Sequence, residues 1–387
     1  MEDDKWGKGA KPYDLEKKLH DLERLWPAKG LSRRTFLKIS GIAAAGLALP
    51  IGCSSSQPAE DIRTDGVYRL MMPPVPIGAA TVGIVGYGDI EAKVKRAIEL
   101  AGGLSEIQSG DTVVIKPNLT TGYTLATRVT THPEVLRAVI RAVKERTEAA
   151  NITVAEASSY MDPSTLEVAK KVGVYDVVQS EGVNFLAWED EEYIDTTCFD
   201  FESIGFRIEI PKSLTDSRFK HFINVPMLKN HDQVSGTNVD YTCCIKNHVG
   251  VLSRQKRTTG GGKGIHTKDL GERVAELNLA APVHTMNVVD ALTVILSGGP
   301  ASGDMHWTEP GLILACKDRV ACDSACLAVL RHYASQQGVS RPYVKKSVWE
   351  QAQIRRALQL NLGRNKDSIK IVHDGVSDID GIMAKWN

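Results

Sequence analysis

Three stretches of the 387-residue chain place lysine, asparagine and histidine together at the ends of apolar runs. The β-branched run Asp111–Ile115 leads directly into Lys116-Pro117-Asn118. Lys116 therefore falls at the carboxyl end of a predicted strand, where open α/β sheets place their ligands. Asn118 and Thr131 follow, ahead of a helix opening at Pro133 whose N-terminus favours anions. Lys229 and His231 close a second apolar run, and in extended chain their spacing puts both on one face. Lys246, Asn247 and His248 come next, with Arg254 and His266 beyond. If they converge, these groups form a cationic site balanced by Glu156, Asp290 and Asp323. It would suit a small carboxylate or phosphate, bound by Lys116, Asn118, Thr131, Glu156, Asn247 and Asp290. His231 and His266 would act as general acid and base. Lys229 or Lys246, desolvated among other cations, would act as a nucleophile. Imidazoles with a carboxylate could instead hold a transition metal, so a metal or redox cofactor stays open. Each residue also has an ordinary structural use: solvated lysine, hydrogen-bonded core histidine, capping aspartate.

The elements that must position these residues read as an α/β fold. Strands are predicted at Thr81–Val85, Asp111–Ile115, Ile152–Ala155 and Asn184–Ala187, and helices at Ile90–Leu100, from Pro133, and from Leu166 through Val172 onward. That alternation implies parallel pairing. The second half adds strands at 206–210, Phe222–Val225, Met286–Val289, Leu312–Ala315 and Ile369–Val372. Its helices are expected at Asp269–Leu279, Val320–His332 and Val348–Leu362. The expectation is a mostly parallel or mixed sheet flanked by helices over residues 71–387, in one domain or two α/β subdomains. The glycine run at 258–264 reads as a surface loop or a lid. Gly86-Tyr87-Gly88 has Glu91 in place of the third glycine of a dinucleotide loop. Lys+Arg and Asp+Glu both number 47, and aromatic residues are 6%, which excludes a phosphate-neutralising or base-stacking nucleic-acid binder.

The seven cysteines lack any C-x-x-C pair, so zinc-ribbon and ferredoxin-type patterns have no support. Cys243 and Cys244 are neighbours and would ordinarily point apart. Cys322 and Cys326 share a helix face, which reads first as small core packing and second as a metal seat.

An address precedes the domain. Ser32-Arg33-Arg34-Thr35-Phe36-Leu37-Lys38 and the short apolar stretch Ile39–Gly52 resemble a twin-arginine signal peptide. That stretch is shorter than a spanning helix requires. Residues 1–30 form a charged extension, 31–53 the signal and 54–70 a linker. Cys53 stands where a lipoprotein would be acylated, although Pro50 departs from that pattern. The chain is thus expected to meet the twin-arginine translocation machinery and to act in the periplasm or outside the cytoplasmic membrane. It would be released, or held at the membrane surface through lipidation alone.

Several segments in order carry a wider resemblance. They are Ile115-Lys116-Pro117-Asn118-Leu119 with Thr131 and Pro133, then the run from Ile223 to His231, then Ile245-Lys246-Asn247-His248-Val249-Gly250. Arg254, His266, Asp290, Gly298-Gly299-Pro300, Gly303, Asp318 and Asp323 complete the order. Together, over about residues 80 to 335, they resemble the family catalogued as domain of unknown function 362. The chain departs from that pattern at Asn230 and at Cys243-Cys244, and it lacks the ferredoxin-like cluster module of many relatives. The resemblance implies that Lys229, His231, Lys246 and Asn247 belong to a site, and it brings no reaction with it. Two readings follow: an exported enzyme acting on a small anionic ligand, or a non-catalytic extracytoplasmic protein that binds a ligand or handles a cofactor.

Overall fold

The computed structural model describes residues 68–69, 73, 75–121, 126–159, 164–197, 208–231, 237–257, 264–266, 269–280, 284–299 and 305–387. All of these fall in the compact unit Asp61–Asn387. The signal peptide, Cys53, Cys198 and residues 258–263 of the glycine run lie outside the described residues.

The strands are β1 (Tyr68–Arg69), β2 (Ala80–Val85), β3 (Val113–Pro117), β4 (Ile152–Glu156), β5 (Asn184–Ala187), β6 (Tyr193–Thr197), β7 (Ile208–Pro211), β8 (His221–Val225), β9 (Met227–Asn230), β10 (Tyr241–Thr242), β11 (His284–Ser297), β12 (His306–Thr308), β13 (Leu312–Cys316) and β14 (Ile369–Asp374). The main helices are α1 (Ile90–Leu100), α2 (Pro133–Lys144), α3 (Thr165–Lys171), α4 (Val174–Glu181), α5 (Leu270–Leu277), α6 (Arg319–Gln336) and α7 (Ala352–Gln359).

An 11-stranded mixed sheet runs in the order β14-β2-β13-β11-β8-β3-β4-β5, with β9, β10 and β12 attached off that path. Strands β11, β8, β3, β4 and β5 are mutually parallel, and β13 runs against its neighbours β11 and β2. The chain steps from β3 outward to β4 and β5, then returns to β8 on the other side of β3. That reversal opens a crevice beyond the carboxyl ends of β3 and β8.

Alternation in the strands decides what packs where. Val113 and Ile115, Ile223 and Val225, and Ile313 and Ala315 face a core shared with α1 to α4. Val114, Phe222, Leu312 and Leu314 face the opposite core, shared with α5, α6 and α7. The sheet is therefore covered on both sides, and its parallel strands are mostly apolar, as such burial demands, with Lys116, Asn224, Asn287 and Asp290 as buried polar exceptions.

Three expectations are corrected. The helix expected from Leu166 onward breaks into α3 and α4 at Gly173, whose φ of +80° suits glycine. The helix expected over Val348–Leu362 is a short 3-10 turn, Val348–Glu350, followed by α7, with extended backbone at Gln351 between them. The strand expected at Met286–Val289 continues to Ser297. Asp290 hid its length, and two backbone N–H groups make its carboxylate tolerable there, His132 at 2.8 Å and Leu292 at 3.1 Å.

Candidate functional site

The crevice is built around three buried lysines. Lys116 ends β3 with no exposed surface, and its Nζ donates to the Oε2 of Glu156 at the end of β4. Burial lowers the Lys116 ammonium to about 8, against the opposing pull of Glu156. The other Glu156 oxygen accepts the Ala157 N–H at 3.0 Å and lies 3.5 Å from the guanidinium of Arg257. Gly250 closes over this pair. A Cβ there would sit 1.7 Å from Glu156 Oε1 and 2.5 Å from Lys116 Nζ, so only glycine lets the backbone approach.

Lys229, in β9, uses all three of its donors. Its Nζ bonds Asn118 Oδ1 at 2.6 Å, Thr120 Oγ1 at 2.7 Å and the carbonyl of Val129. Burial, followed by the charge of Lys246, pushes it well below the ordinary lysine range. Thr131 fixes the loop that carries Asn118: its hydroxyl accepts the Asn118 N–H at 2.8 Å and donates to the Val225 carbonyl at 2.7 Å.

From Asn118 a chain of amides runs across the sheet. Asn118 donates to Asn247 (2.8 Å), Asn247 to Asn224 (2.8 Å), and Asn224 to Asn287 (3.1 Å). The Asn287 oxygen meets His284 Nδ1 at 2.9 Å, and His284 Nε2 lies 2.8 Å from His248 Nε2. One of these two imidazoles must donate and the other accept. Burial holds both well below the ordinary histidine range. An unbroken polar chain through a sheet interior fixes side-chain positions, because any amide that turned would leave a buried group unpaired.

Lys246 opens the 3-10 segment Lys246–Val251 and is 5% exposed. No hydrogen bond of its Nζ is made among the described residues. Burial and then the charge of Arg257 lower it to about 7. His231 follows β9, and both of its ring nitrogens are buried without a hydrogen-bond partner among the described residues. Its ring stacks on His266, with centroids 5.9 Å apart. Burial, with the positive charge of Lys246 next, depresses both imidazoles, His266 to about 3. His266 Nδ1 is 2.9 Å from the Arg257 carbonyl. Asp290 sits at the mouth of α2 on the His132 N–H, so a carboxylate of the chain itself already occupies that helix N-terminus.

The structure thus gathers Lys116, Asn118, Thr131, Glu156, Lys229, His231, Lys246, Asn247, His266 and Asp290 around one end of the sheet. Asp323 is not among them; it bonds Tyr241, Gln353 and the Ile245 N–H. Arg254 turns to the Ser159 carbonyl and to Glu189. The sequence reading missed Asn224, Asn287, Thr120 and Arg257. A polar residue within an apolar strand run was the available signal for Asn224 and Asn287. Arg257 gave none, lying in a basic stretch that reads as solvated.

A mixed α/β sheet carrying a buried Lys/Asn/His cluster at a strand-order reversal is the class of protein this geometry defines. The chain belongs to the family described as Domain of unknown function (DUF362), which it matches over residues 113–328. Residues 30–50 match the TAT (twin-arginine translocation) pathway signal sequence, which makes this an exported protein handled by that machinery. The chain is similar to the thylakoid-associated protein sll1697 of Synechocystis sp.. The two are 27% identical over 252 residues, 63% of this chain and 71% of that protein. No solved structure matches it. Among the described residues, no helix is long and apolar enough to cross a membrane.

Proposed function

We propose that this exported protein is an enzyme acting on a small carboxylate or phosphate held between Lys246, His231 and His266. The observation that carries the reading is a division among the buried cations. Lys229 donates to three protein acceptors and Lys116 to Glu156 and the Pro117 carbonyl, whereas, among the described residues, both buried nitrogens of His231 have no hydrogen-bond partner and Lys246 Nζ makes no hydrogen bond. Buried polar atoms are normally paired, so unpaired ones that share a crevice are the natural seat of a ligand. An anion would accept from Lys246, and a protonated oxygen of the same ligand would donate to neutral His231. His231 is then placed to take that proton, with His266 stacked behind it. Lys116, Lys229 and the amides hold the crevice in shape, which moves Lys229 from a catalytic to a positioning role. Asp290 and Glu156 keep the net charge low enough for the lysines to remain buried.

Among the described residues, no hydrogen bond joins a candidate nucleophile to a base. That favours a second reading, a non-catalytic binding protein using the same crevice. Calorimetry with inorganic phosphate and with malonate tests the site. The wild-type chain should bind one of them, and Lys246→Met should weaken that binding at least tenfold. Equal affinity in both proteins overturns the site. Binding of phosphate esters and carboxylates without product favours the second reading over the first.

A further inference from the structure

At the rim of the crevice one arginine lies outside the pairing described so far. Arg128 is half-buried, and its guanidinium carbon is 4.0 Å from the ring centroid of Trp307. Among the described residues it makes no hydrogen bond and no ion pair. Arg137, Arg141 and Arg364, which are also partly exposed, each pair with a carboxylate.

Strand register places this arginine. Trp307 in β12 stands opposite Ile295 in β11, and Ile295 stands opposite Lys229 in β9. Residues opposite one another in a ladder project from the same face, so Trp307 and Lys229 share a face, two strand spacings or about 10 Å apart. The packing agrees: Met227, two residues before Lys229, forms one apolar cluster with Val129, Ile295 and Met305, and Trp307 packs against it. The chain from Arg128 to Thr131 crosses this face as a strap. Arg128 rests on Trp307, the Val129 carbonyl accepts from Lys229 Nζ, and the Thr131 hydroxyl donates to the Val225 carbonyl at 2.7 Å. His231 lies two residues beyond Lys229, with its N–H on the Asp240 carbonyl at 2.8 Å, so in extended chain it falls on the same face.

We propose, on the strength of the crevice reading, that Arg128 binds a second anionic group of the ligand. The ligand is then an elongated dianion, held by Lys246 and His231 at one end and by Arg128 at the other. A guanidinium that served only to cover Trp307 would use its face alone. The indole contact occupies none of its five N–H donors, which form a planar fork that matches a carboxylate or phosphate two bonds at a time. Stacking on the indole also restricts the side chain before any ligand arrives, which lowers the ordering cost of binding. Between the two ends, Val129, Met305 and Ile295 offer no side-chain hydrogen bond, so the middle of the ligand is apolar.

The test is calorimetry on the full chain with malonate and with suberate, whose longer apolar spacer parts the two charges. The wild type should bind suberate about tenfold more tightly than malonate, the worth of one charge-assisted hydrogen-bonded contact. Arg128→Gln should bring that ratio to about one. Arg128→Lys keeps a charge for Trp307 but loses the fork, and its ratio should fall between the two. Lys246→Met should weaken both ligands. An unchanged urea midpoint in Arg128→Gln shows that the ratio reports binding rather than a loosened strap, and Arg128→Lys carries the comparison if that midpoint falls. A wild-type ratio of one, or the same ratio in all three Arg128 proteins, overturns this inference and leaves the crevice reading standing. So does binding of inorganic phosphate with neither dicarboxylate bound. Binding of none of the three overturns both.

Discussion

Two buried polar regions meet at the turn around Cys244 and differ in what they leave open. In the crevice, Lys116 has Glu156, Lys229 has three oxygens, and the amides form an unbroken chain to His248. Among the described residues, Lys246 and His231 stand outside that pairing, at the end where the strands stop. Cys243 and Cys244 do not point apart: their thiols, weak donors and acceptors, are 3.7 Å from each other, beside the Asp323 carboxylate that is already satisfied. Complete pairing in the first region marks the scaffold and isolates the groups left for an external ligand. In the second, the carboxylate is fully paired and the thiols around it are fully buried. The same low dielectric that makes each unpaired group costly makes both regions informative.

The contrast can be broken most forcefully at Gly250. Gly250→Ala drives a methyl into the Lys116–Glu156 pair and should cost about 3–5 kcal/mol, the range for disrupting a buried ion pair. Denaturant unfolding checks it, and a loss below 1 kcal/mol would mean the pair can move aside.

A comparison of lysines sharpens the division between scaffold and site. Lys229→Met strands the Val129 carbonyl, takes one of two donors from Asn118 Oδ1 and leaves it only the Thr120 hydroxyl at 2.7 Å, and should destabilise by about 3 kcal/mol. Lys246→Met strands nothing and should stabilise by about 1 kcal/mol, because it removes an unpaired buried cation. Equal losses in both variants would erase the distinction.

The smallest effect is a pH dependence carried by Lys116, which faces Glu156, Arg257 and the Gly250 backbone. Its ammonium gives up its proton at about 8 when folded and at 10.5 when unfolded. Between those values the unfolded chain binds more protons, so stability contributed by this group rises as pH climbs from 8 toward 10.5. Urea midpoints measured over that window should rise less in Lys116→Met than in the wild type. Parallel pH profiles would show that Lys116 does not titrate there.

Much of this architecture was legible because period and composition are local properties. β3, β8, α1 and α2 follow from apolar alternation or helical spacing, and Lys116, Lys229 and His231 stand where predicted strands end. What escaped detection was either masked or non-local. Asp290 concealed the middle of β11 because its partners, the His132 and Leu292 N–H groups, lie in a distant loop and two residues on. Arg257 reads as a solvated charge until the fold carries it against Glu156 and the Ser158 carbonyl.

The sequence alone determined the export signal, the α/β class and the polar strand ends, since each depends on residue order within a short window. Tertiary structure alone decided which lysine makes no hydrogen bond among the described residues and that cysteines from two distant segments are buried side by side. Pairing and burial depend on neighbours that only the folded sheet supplies. The separation of Cys243 and Cys244 from Cys322 and Cys326 along the chain says nothing about the distance between their sulfurs.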